Sequence, residues 1–190
     1  MGADLQRRKR PFRITYLIAP TRTGVPNAVR LVLGKTITTM FKKLENNRPF
    51  IKMAFQGFAG DGKTYTAVTC AIGLHKQIGS KKPIAIFDTE KAAKALIGVF
   101  SDAGIECVVD DEHRSLKALN EAIAWCENGG SDILVIDSIT HVWEEFLQAY
   151  MTQKRRTRLE FQDWGVIKPQ WKQQFSTPFV KANVHIFFTG

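Results

Sequence analysis

From position 49 onward, short apolar runs alternate with longer stretches in which apolar residues recur every three or four positions. The short runs predict strands, and the three- and four-residue spacing predicts helices. The predicted strands are residues 50–56, 83–87, 105–109, 133–136 and 184–189, and the predicted helices are residues 63–79, 91–103, 115–128 and 140–151. Residues 163–175 are predicted to be irregular or helical and interrupted at Pro169. This alternation predicts an α/β fold, a three-layer sandwich with a mostly parallel sheet flanked by helices.

The charge of the chain is unevenly distributed. Residues 1–48 contain eleven Lys or Arg residues and two acidic residues, and this segment accounts for the net charge of +9. We therefore divide the chain into a basic N-terminal arm, residues 1–48, and a folded domain, residues 49–190. The arm is expected to be partly disordered or to form one helix at residues 27–44. A basic arm of this kind either binds nucleic acid or is a solvated tail.

Composition narrows the class of protein. The hydrophobic fraction of 44% and the charged fraction of 24% are typical of a soluble globular protein. No apolar run approaches the roughly 18 residues of a membrane span, and no secretory signal is evident, so we expect a cytoplasmic protein without membrane contact. The three cysteines, Cys70, Cys107 and Cys126, have no paired spacing, which favours buried reduced thiols over disulfides or zinc ligands.

A glycine-rich segment separates the first predicted strand from the first predicted helix. Its sequence is Gly57-Phe58-Ala59-Gly60-Asp61-Gly62-Lys63-Thr64, which fits the phosphate-loop pattern in full. Glycines allow successive N–H groups to point at an anion, Lys63 places a cation on the phosphates, and the Thr64 hydroxyl is a magnesium ligand. Tyr65 is expected either near the nucleotide or packed on the helix face. The segment predicts binding of ATP with Mg²⁺.

Two acidic residues are candidates for the chemistry at this loop. The apolar run 133–136 ends in Asp137, which we expect on the magnesium side of the site, acting directly or through water. In one common arrangement a glutamate directly follows that acid, but here Ser138 follows it. Glu90, after the strand 83–87, is then the candidate for positioning the attacking water. Alternatively, Glu90 only opens the next helix, for which Asp88 is a candidate N-cap.

These segments together resemble one branch of the phosphate-loop ATPases. The loop 57–64, the run Phe87-Asp88-Thr89-Glu90 and the run 132–138 resemble the RecA-like branch. The resemblance implies that Glu90 activates water and that Asp137 serves the magnesium. Residues 47–52, 141–144 and 161–165 are more narrowly similar to compact AAA-type ATPases encoded by phages and mobile elements.

The resemblance covers about residues 40–190 and carries four further expectations. Met40 is a candidate start of the protein, with residues 1–39 as an extension. Family members continue past the strand that ends at Thr189, so the chain is expected to be truncated, and Thr189 lies where a γ-phosphate sensor would be. The resemblance also allows a homo-oligomer.

Aromatic and basic residues in the second half suggest a partner. The aromatic residues are Trp143, Phe146, Phe161, Trp164, Trp171 and Phe175, and the basic residues are Lys154, Arg155, Arg156 and Arg158. The aromatic residues are expected to pack in the core, the alternative being a platform on which single-stranded bases stack. RecA-like proteins use loops after the magnesium strand to contact DNA, so single-stranded DNA is a candidate partner.

Three functions are compatible with these features. The first is Mg²⁺-dependent ATP hydrolysis, with Lys63 and Glu90 in catalytic roles, coupled to nucleic-acid transactions such as recombination, replication or packaging. The second is a small-molecule kinase in which Arg155, Arg156 and Arg158 supply a lid. The third is a nucleotide-binding module without turnover.

Overall fold

The computed structural model describes residues 50–190, which belong to one unit of the chain, Arg48–Gly190. The basic arm 1–48, its expected helix at residues 27–44 and the candidate start at Met40 lie outside the described residues. They remain predictions.

Strands and helices alternate through the described residues. The strands are β1 (Lys52–Phe55), β2 (Ile84–Asp88), β3 (Cys107–Asp110), β4 (Ile133–Asp137) and β5 (His185–Thr189). The α-helices are α1 (Lys63–Ile78), α2 (Ile97–Ala103), α3 (Leu116–Trp125), α4 (Ile139–Gln153), α5 (Trp164–Trp171) and α6 (Thr177–Lys181). Short 3-10 turns at Ala93–Leu96 and Phe161–Asp163 precede α2 and α5, and wide π turns at Cys126–Gly130 and Lys172–Ser176 follow α3 and α5. No helix among residues 50–190 is long and apolar enough to cross a membrane.

The described strands form one sheet, and every pairing in it is parallel. The order is β1-β5-β4-β2-β3, so β5 lies between β1 and β4. Phe55 is opposite Thr189, and Asp88 is opposite Asp137. The carboxyl ends of β1, β5, β4 and β2 therefore lie side by side at one edge, which is where open parallel sheets bind ligands. The expected α/β fold with a parallel sheet is confirmed.

Helices cover both faces of the sheet. Alternate strand residues point to opposite faces, so Phe87 and Ile136 pack with α3 while Ile86 and Val135 pack with α1. Every residue of β2 and β4 is buried, as expected for central strands covered on both sides. These two buried strands hold their last residues, Asp88 and Asp137, at fixed positions on the sheet edge.

Three helices differ from the sequence prediction, the first of them being α6, since no helix is predicted at residues 177–181. The helix expected from residue 91 begins only at Ala93, as a 3-10 turn, because Lys91 has a φ of +60° and cannot belong to a helix. The expected interruption at Pro169 is wrong, since α5 passes through that residue. Proline removes the N–H that would pair with the Gly165 carbonyl, but both residues are exposed, so water can bond to this carbonyl.

Candidate functional site

The glycine-rich segment connects β1 to α1, and α1 begins at Lys63 as predicted. Gly60 and Gly62 have φ values of +88° and +77°, a region that residues with a side chain rarely adopt. A Cβ atom at Gly57 would lie 2.8 Å from a carboxylate oxygen of Asp61. The loop conformation therefore favours glycine at positions 60 and 62, whereas a side chain at position 57 would displace the Asp61 carboxylate.

Hydrogen bonds within the loop hold its charged side chains close to its backbone. The Phe58 N–H donates to Oδ2 of Asp61 at 2.7 Å. The Lys63 ammonium donates to the carbonyl oxygens of Gly57 at 2.9 Å and Phe58 at 3.1 Å. Lys63 is thus folded back onto the loop, and Asp61 occupies one of the loop's N–H donors.

The loop and Glu90 line one cavity of about 350 Å³. The loop contributes residues Ala59 to Tyr65, and the segment after β2 contributes Glu90 together with the apolar residues Ala92, Ala95 and Leu96. Tyr65 is 56% exposed, so it is a wall of the cavity and not part of the core. The structure thus brings Glu90 to the same cavity as Lys63 and Thr64, from which it is distant in the sequence.

Asp137, the last residue of β4, is a buried acid beside this cavity. It is 2% exposed, and its Oδ1 accepts a hydrogen bond from the Thr189 hydroxyl, while Oδ2 has no hydrogen-bond partner within the described residues. Burial raises the pKa of Asp137, the nearby hydroxyls of Thr189 and Thr64 lower it, and the negative charges of Glu90 and Asp88 raise it, with a net increase. A buried carboxylate oxygen without a partner is costly unless a cation compensates it.

The protein ligands for a metal are few here. Within residues 50–190 no group of three or more His, Cys, Asp or Glu side chains is arranged to hold a metal ion. Thr64 and Asp137 supply one hydroxyl and one carboxylate. Mg²⁺ prefers six oxygen ligands and commonly takes most of them from phosphates and water, so this small set is compatible with Mg²⁺ bound together with a nucleotide.

The residues after β2 have separate roles. The Asp88 carboxylate accepts hydrogen bonds from the N–H groups of Ala92 at 3.1 Å and Ala93 at 2.8 Å, so Asp88 binds the start of the following turn, although the N-cap position itself is Ala92 and not Asp88 as predicted. Glu90 is exposed, and its carboxylate forms no hydrogen bond to another described residue. Capping therefore does not require Glu90, and its carboxylate is available to the cavity that it lines.

Thr89 is a site residue that the sequence analysis missed. Its hydroxyl oxygen accepts the Ser138 N–H at 2.8 Å and lies 3.0 Å from Nδ1 of His141. The N–H groups of Thr89 and Glu90 both donate to the Asp137 carbonyl, at 2.6 and 3.2 Å. Thr89 and Ser138 are 49 positions apart, so only the pairing of β2 with β4 reveals this connection.

The aromatic residues are mostly packed with one another. Trp143 stacks on Phe146 and Trp164 and contacts Trp171 edge-on, with ring centroids 4.8–6.4 Å apart. The stack continues from Trp171 through Phe175 into the core. The expectation of core packing is confirmed for Phe175, which is buried, and for Phe146 and Trp171, which pack against the core, whereas Trp143 and Trp164 are partly buried and stack on this group. Phe161 is different, because it is 95% exposed.

In the basic loop after α4, one cation binds a buried acid and the other three do not. Arg156 donates to both carboxylate oxygens of Asp163 at 3.2 Å, and the Tyr150 hydroxyl donates to the same acid at 3.0 Å. Arg156 is therefore part of the structure that holds the loop. Lys154, Arg155 and Arg158 are exposed and form no ion pair within residues 50–190. The predicted contact of this loop with DNA stays a prediction.

No family model matches the chain, and no curated protein matches it. The residues and geometry of the site are therefore the basis for a functional proposal.

Proposed function

We propose that this protein binds ATP with Mg²⁺ at the loop 57–64 and hydrolyses it to ADP and phosphate. The observation that carries the proposal is the shared cavity, in which the loop, Lys63 and Glu90 face one space of about 350 Å³. Asp137 lies at the neighbouring strand end with a carboxylate oxygen that has no partner in the described residues. These are the groups that a RecA-like ATPase requires, so the geometry supports the resemblance seen in the sequence.

The loop accounts for the binding of phosphate groups. It leads directly into the N-terminus of α1, a 16-residue helix with no acidic residue in its first turn. The positive end of the helix dipole and the loop N–H groups attract an anion, and Lys63 adds a full charge. On binding, the Lys63 ammonium would leave the carbonyl oxygens of Gly57 and Phe58 and contact phosphate oxygens. The Phe58 N–H would likewise leave Asp61 for a phosphate oxygen.

Asp137 and Thr64 would hold Mg²⁺. The free oxygen of Asp137 fits this role because a bound cation would compensate a carboxylate that burial otherwise disfavours in its charged form. The ion would neutralise charge on the phosphate groups during transfer.

Glu90 would orient the attacking water. Ser138, which directly follows Asp137, is buried and carries a neutral hydroxyl in place of a carboxylate, so it does not supply the base. Glu90 has an exposed carboxylate in the cavity, which is the requirement for a residue that positions or deprotonates water. The proposal that the protein hydrolyses ATP, and does not only bind it, depends on Glu90.

Nucleic acid is the proposed partner of the loop after α4. Lys154, Arg155 and Arg158 are exposed there, and the exposed ring of Phe161 follows. Cations together with an exposed aromatic ring are a combination that binds single-stranded nucleic acid through phosphates and base stacking. A small-molecule kinase would need several free arginines in its lid, and the binding of Arg156 to Asp163 weakens that alternative.

Calorimetric titration of the full chain with ATP and Mg²⁺ tests the binding site. We expect Lys63→Ala to weaken ATP binding by about 10- to 100-fold, the equivalent of one or two charged hydrogen bonds. Lys76→Ala is the matched control, because Lys76 is an exposed lysine at the other end of the same helix. Equal affinity of the Lys63→Ala and Lys76→Ala proteins for ATP would refute the site.

A further inference from the structure

We propose that Thr89 and His141 form a positioning pair, which holds the backbone of Glu90 at a fixed place relative to Asp137 and connects both to helix α4. The catalytic consequence rests on the proposed function, whereas the structural connection does not. Thr89 is 1% exposed, and its hydroxyl oxygen lies 3.0 Å from Nδ1 of His141. His141 is in the first turn of α4.

The hydrogen bonds of Thr89 assign His141 as its partner. The hydroxyl accepts from the Ser138 N–H and has one proton to donate, with the Asp137 carbonyl, the Ser138 carbonyl and Nδ1 of His141 within 3.1 Å. The Asp137 carbonyl already accepts the N–H groups of Thr89 and Glu90, which fills both of its lone pairs. The Ser138 carbonyl and Nδ1 of His141 remain, and we assign the proton to Nδ1, which has no other partner within the described residues and accepts when the imidazole proton is on Nε2.

This network determines where Glu90 lies. On one side of Glu90, Thr89 is tied to the end of β4 through two hydrogen bonds, from its own N–H to the Asp137 carbonyl and from the Ser138 N–H to its hydroxyl oxygen. On the other side, Asp88 binds the N–H groups of Ala92 and Ala93. The backbone of Glu90 is thus held at both ends while its carboxylate remains free in the cavity. A residue that orients water must be placed to within a fraction of an ångström, and a displacement of about 1 Å can cost 100-fold in rate.

The simpler reading is that Thr89 only stabilises the fold, as a buried hydroxyl joining two strand ends. The two readings predict different kinetics. A purely stabilising residue lowers the melting temperature and leaves kcat unchanged well below it. A positioning residue lowers kcat while ATP affinity stays the same, because the phosphate loop is not disturbed.

Substitutions at His141 provide the test without opening a cavity at the strand ends. His141→Phe keeps the size of the ring and removes the acceptor, and His141→Gln retains an acceptor oxygen. Thr89→Val and Thr89→Ser form a second pair of the same kind. For each variant we would measure kcat, the Kd for ATP and the hydrogen exchange of the amides of residues 88–92.

We expect the Phe and Val variants to lose about 10- to 100-fold in kcat with an unchanged Kd for ATP, and to exchange the Thr89 and Glu90 amides faster. The Gln and Ser variants should retain most of kcat and the protection. An unchanged kcat in the His141→Phe protein, or unchanged amide exchange, overturns the pair. If the unmodified protein binds ATP without releasing phosphate, the hydrolysis proposal fails separately, and the exchange measurement alone then decides whether the pair exists.

Discussion

The Thr189 hydroxyl donates its proton to Oδ1 of Asp137, and Oδ2 of the same carboxylate has no partner among residues 50–190. One hydroxyl has one proton, so in this state Thr189 is engaged with the acid. Its predicted role as a γ-phosphate sensor remains untested, and it would require the proton to change partner. The Asp137 carboxylate, which has one hydrogen-bonded and one unpaired oxygen in the described residues, is the feature on which a role for Mg²⁺ depends.

Replacing Asp137 should have opposite effects on stability and on function. Burial is the main cause that raises the pKa of Asp137 in the folded protein. A raised pKa means that this group stabilises the fold below its unfolded pKa and that this contribution is lost as the pH rises through the folded pKa. We therefore expect Asp137→Asn to raise the melting temperature of the nucleotide-free protein at neutral pH and to abolish its further stabilisation by Mg²⁺ with ATP.

Melting temperatures measured from pH 4 to 8 check this prediction. Asp132→Asn is the control, because we expect it to lower the melting temperature at neutral pH where Asp137→Asn raises it. Partial burial raises the pKa of Asp132, but hydrogen bonds from Lys82 and Ser80 outweigh that effect and the net shift is downward. Asp132 therefore stabilises the fold above its unfolded pKa, and the contribution is lost as the pH falls through the folded pKa. Removing this half-exposed pair should cost about 0.2–1 kcal/mol at pH 7. A neutral-pH destabilisation by Asp137→Asn would contradict the assignment.

Asp61 should oppose nucleotide binding. Its carboxylate occupies the Phe58 N–H, a donor that a phosphate oxygen would use, and it adds a negative charge to the loop. We expect Asp61→Asn to tighten ATP binding by about 2- to 10-fold, because the neutral amide oxygen holds the Phe58 N–H less strongly than the carboxylate does and the negative charge is removed. Titration with ATP measures the effect, with Asp102→Asn as an exposed acid outside the site. Weaker binding by the Asp61→Asn protein would show instead that this carboxylate shapes the loop for ATP.

The sequence predicted the parts of the site that depend on local pattern. The loop 57–64 follows from its glycine spacing, and Asp137 follows from the apolar run before it. The position of β5 between β1 and β4 could not be predicted in this way, because strand order is set by packing of the whole sheet. That order is what places Thr189 next to Asp137.

Contacts between distant segments explain why the sequence did not reveal the roles of Thr89 and Arg156. Thr89 looked like an unremarkable residue between two acids, and its partners Ser138 and His141 lie about fifty positions further along the chain. Arg156 looked equivalent to its basic neighbours until the buried carboxylate of Asp163 distinguished it. In both cases one hydrogen bond between distant segments decides what a side chain does.

The basic loop should contribute to nucleic-acid binding through a countable number of charges. Replacing Lys154, Arg155 and Arg158 with alanine should weaken binding of single-stranded DNA and reduce the slope of log K against log salt by about 0.7 per lost phosphate contact. Phe161→Ala should cost about 1–3 kcal/mol with less change in slope, as expected for lost stacking. Fluorescence anisotropy at several salt concentrations measures both quantities.

Lys117 and Lys172 serve as controls for the loop, because both are exposed lysines outside it. Arg156→Ala is a different case, since it removes a partner of the buried Asp163 and should lower the melting temperature. DNA affinity and salt slope that are the same for the loop variant and for the Lys117→Ala, Lys172→Ala protein would exclude this loop as the interface.

Phosphate release from saturating ATP with Mg²⁺, compared between the unmodified protein and Glu90→Gln, tests the central claim most directly. Glutamine keeps the size of the side chain and removes the charge that orients water. We predict that the unmodified protein releases phosphate and that Glu90→Gln binds ATP equally well but releases phosphate at least about 100-fold more slowly. Equal release by both proteins, or ATP binding by the unmodified protein without Mg²⁺-dependent release, would contradict the proposal that this is an ATPase using Glu90.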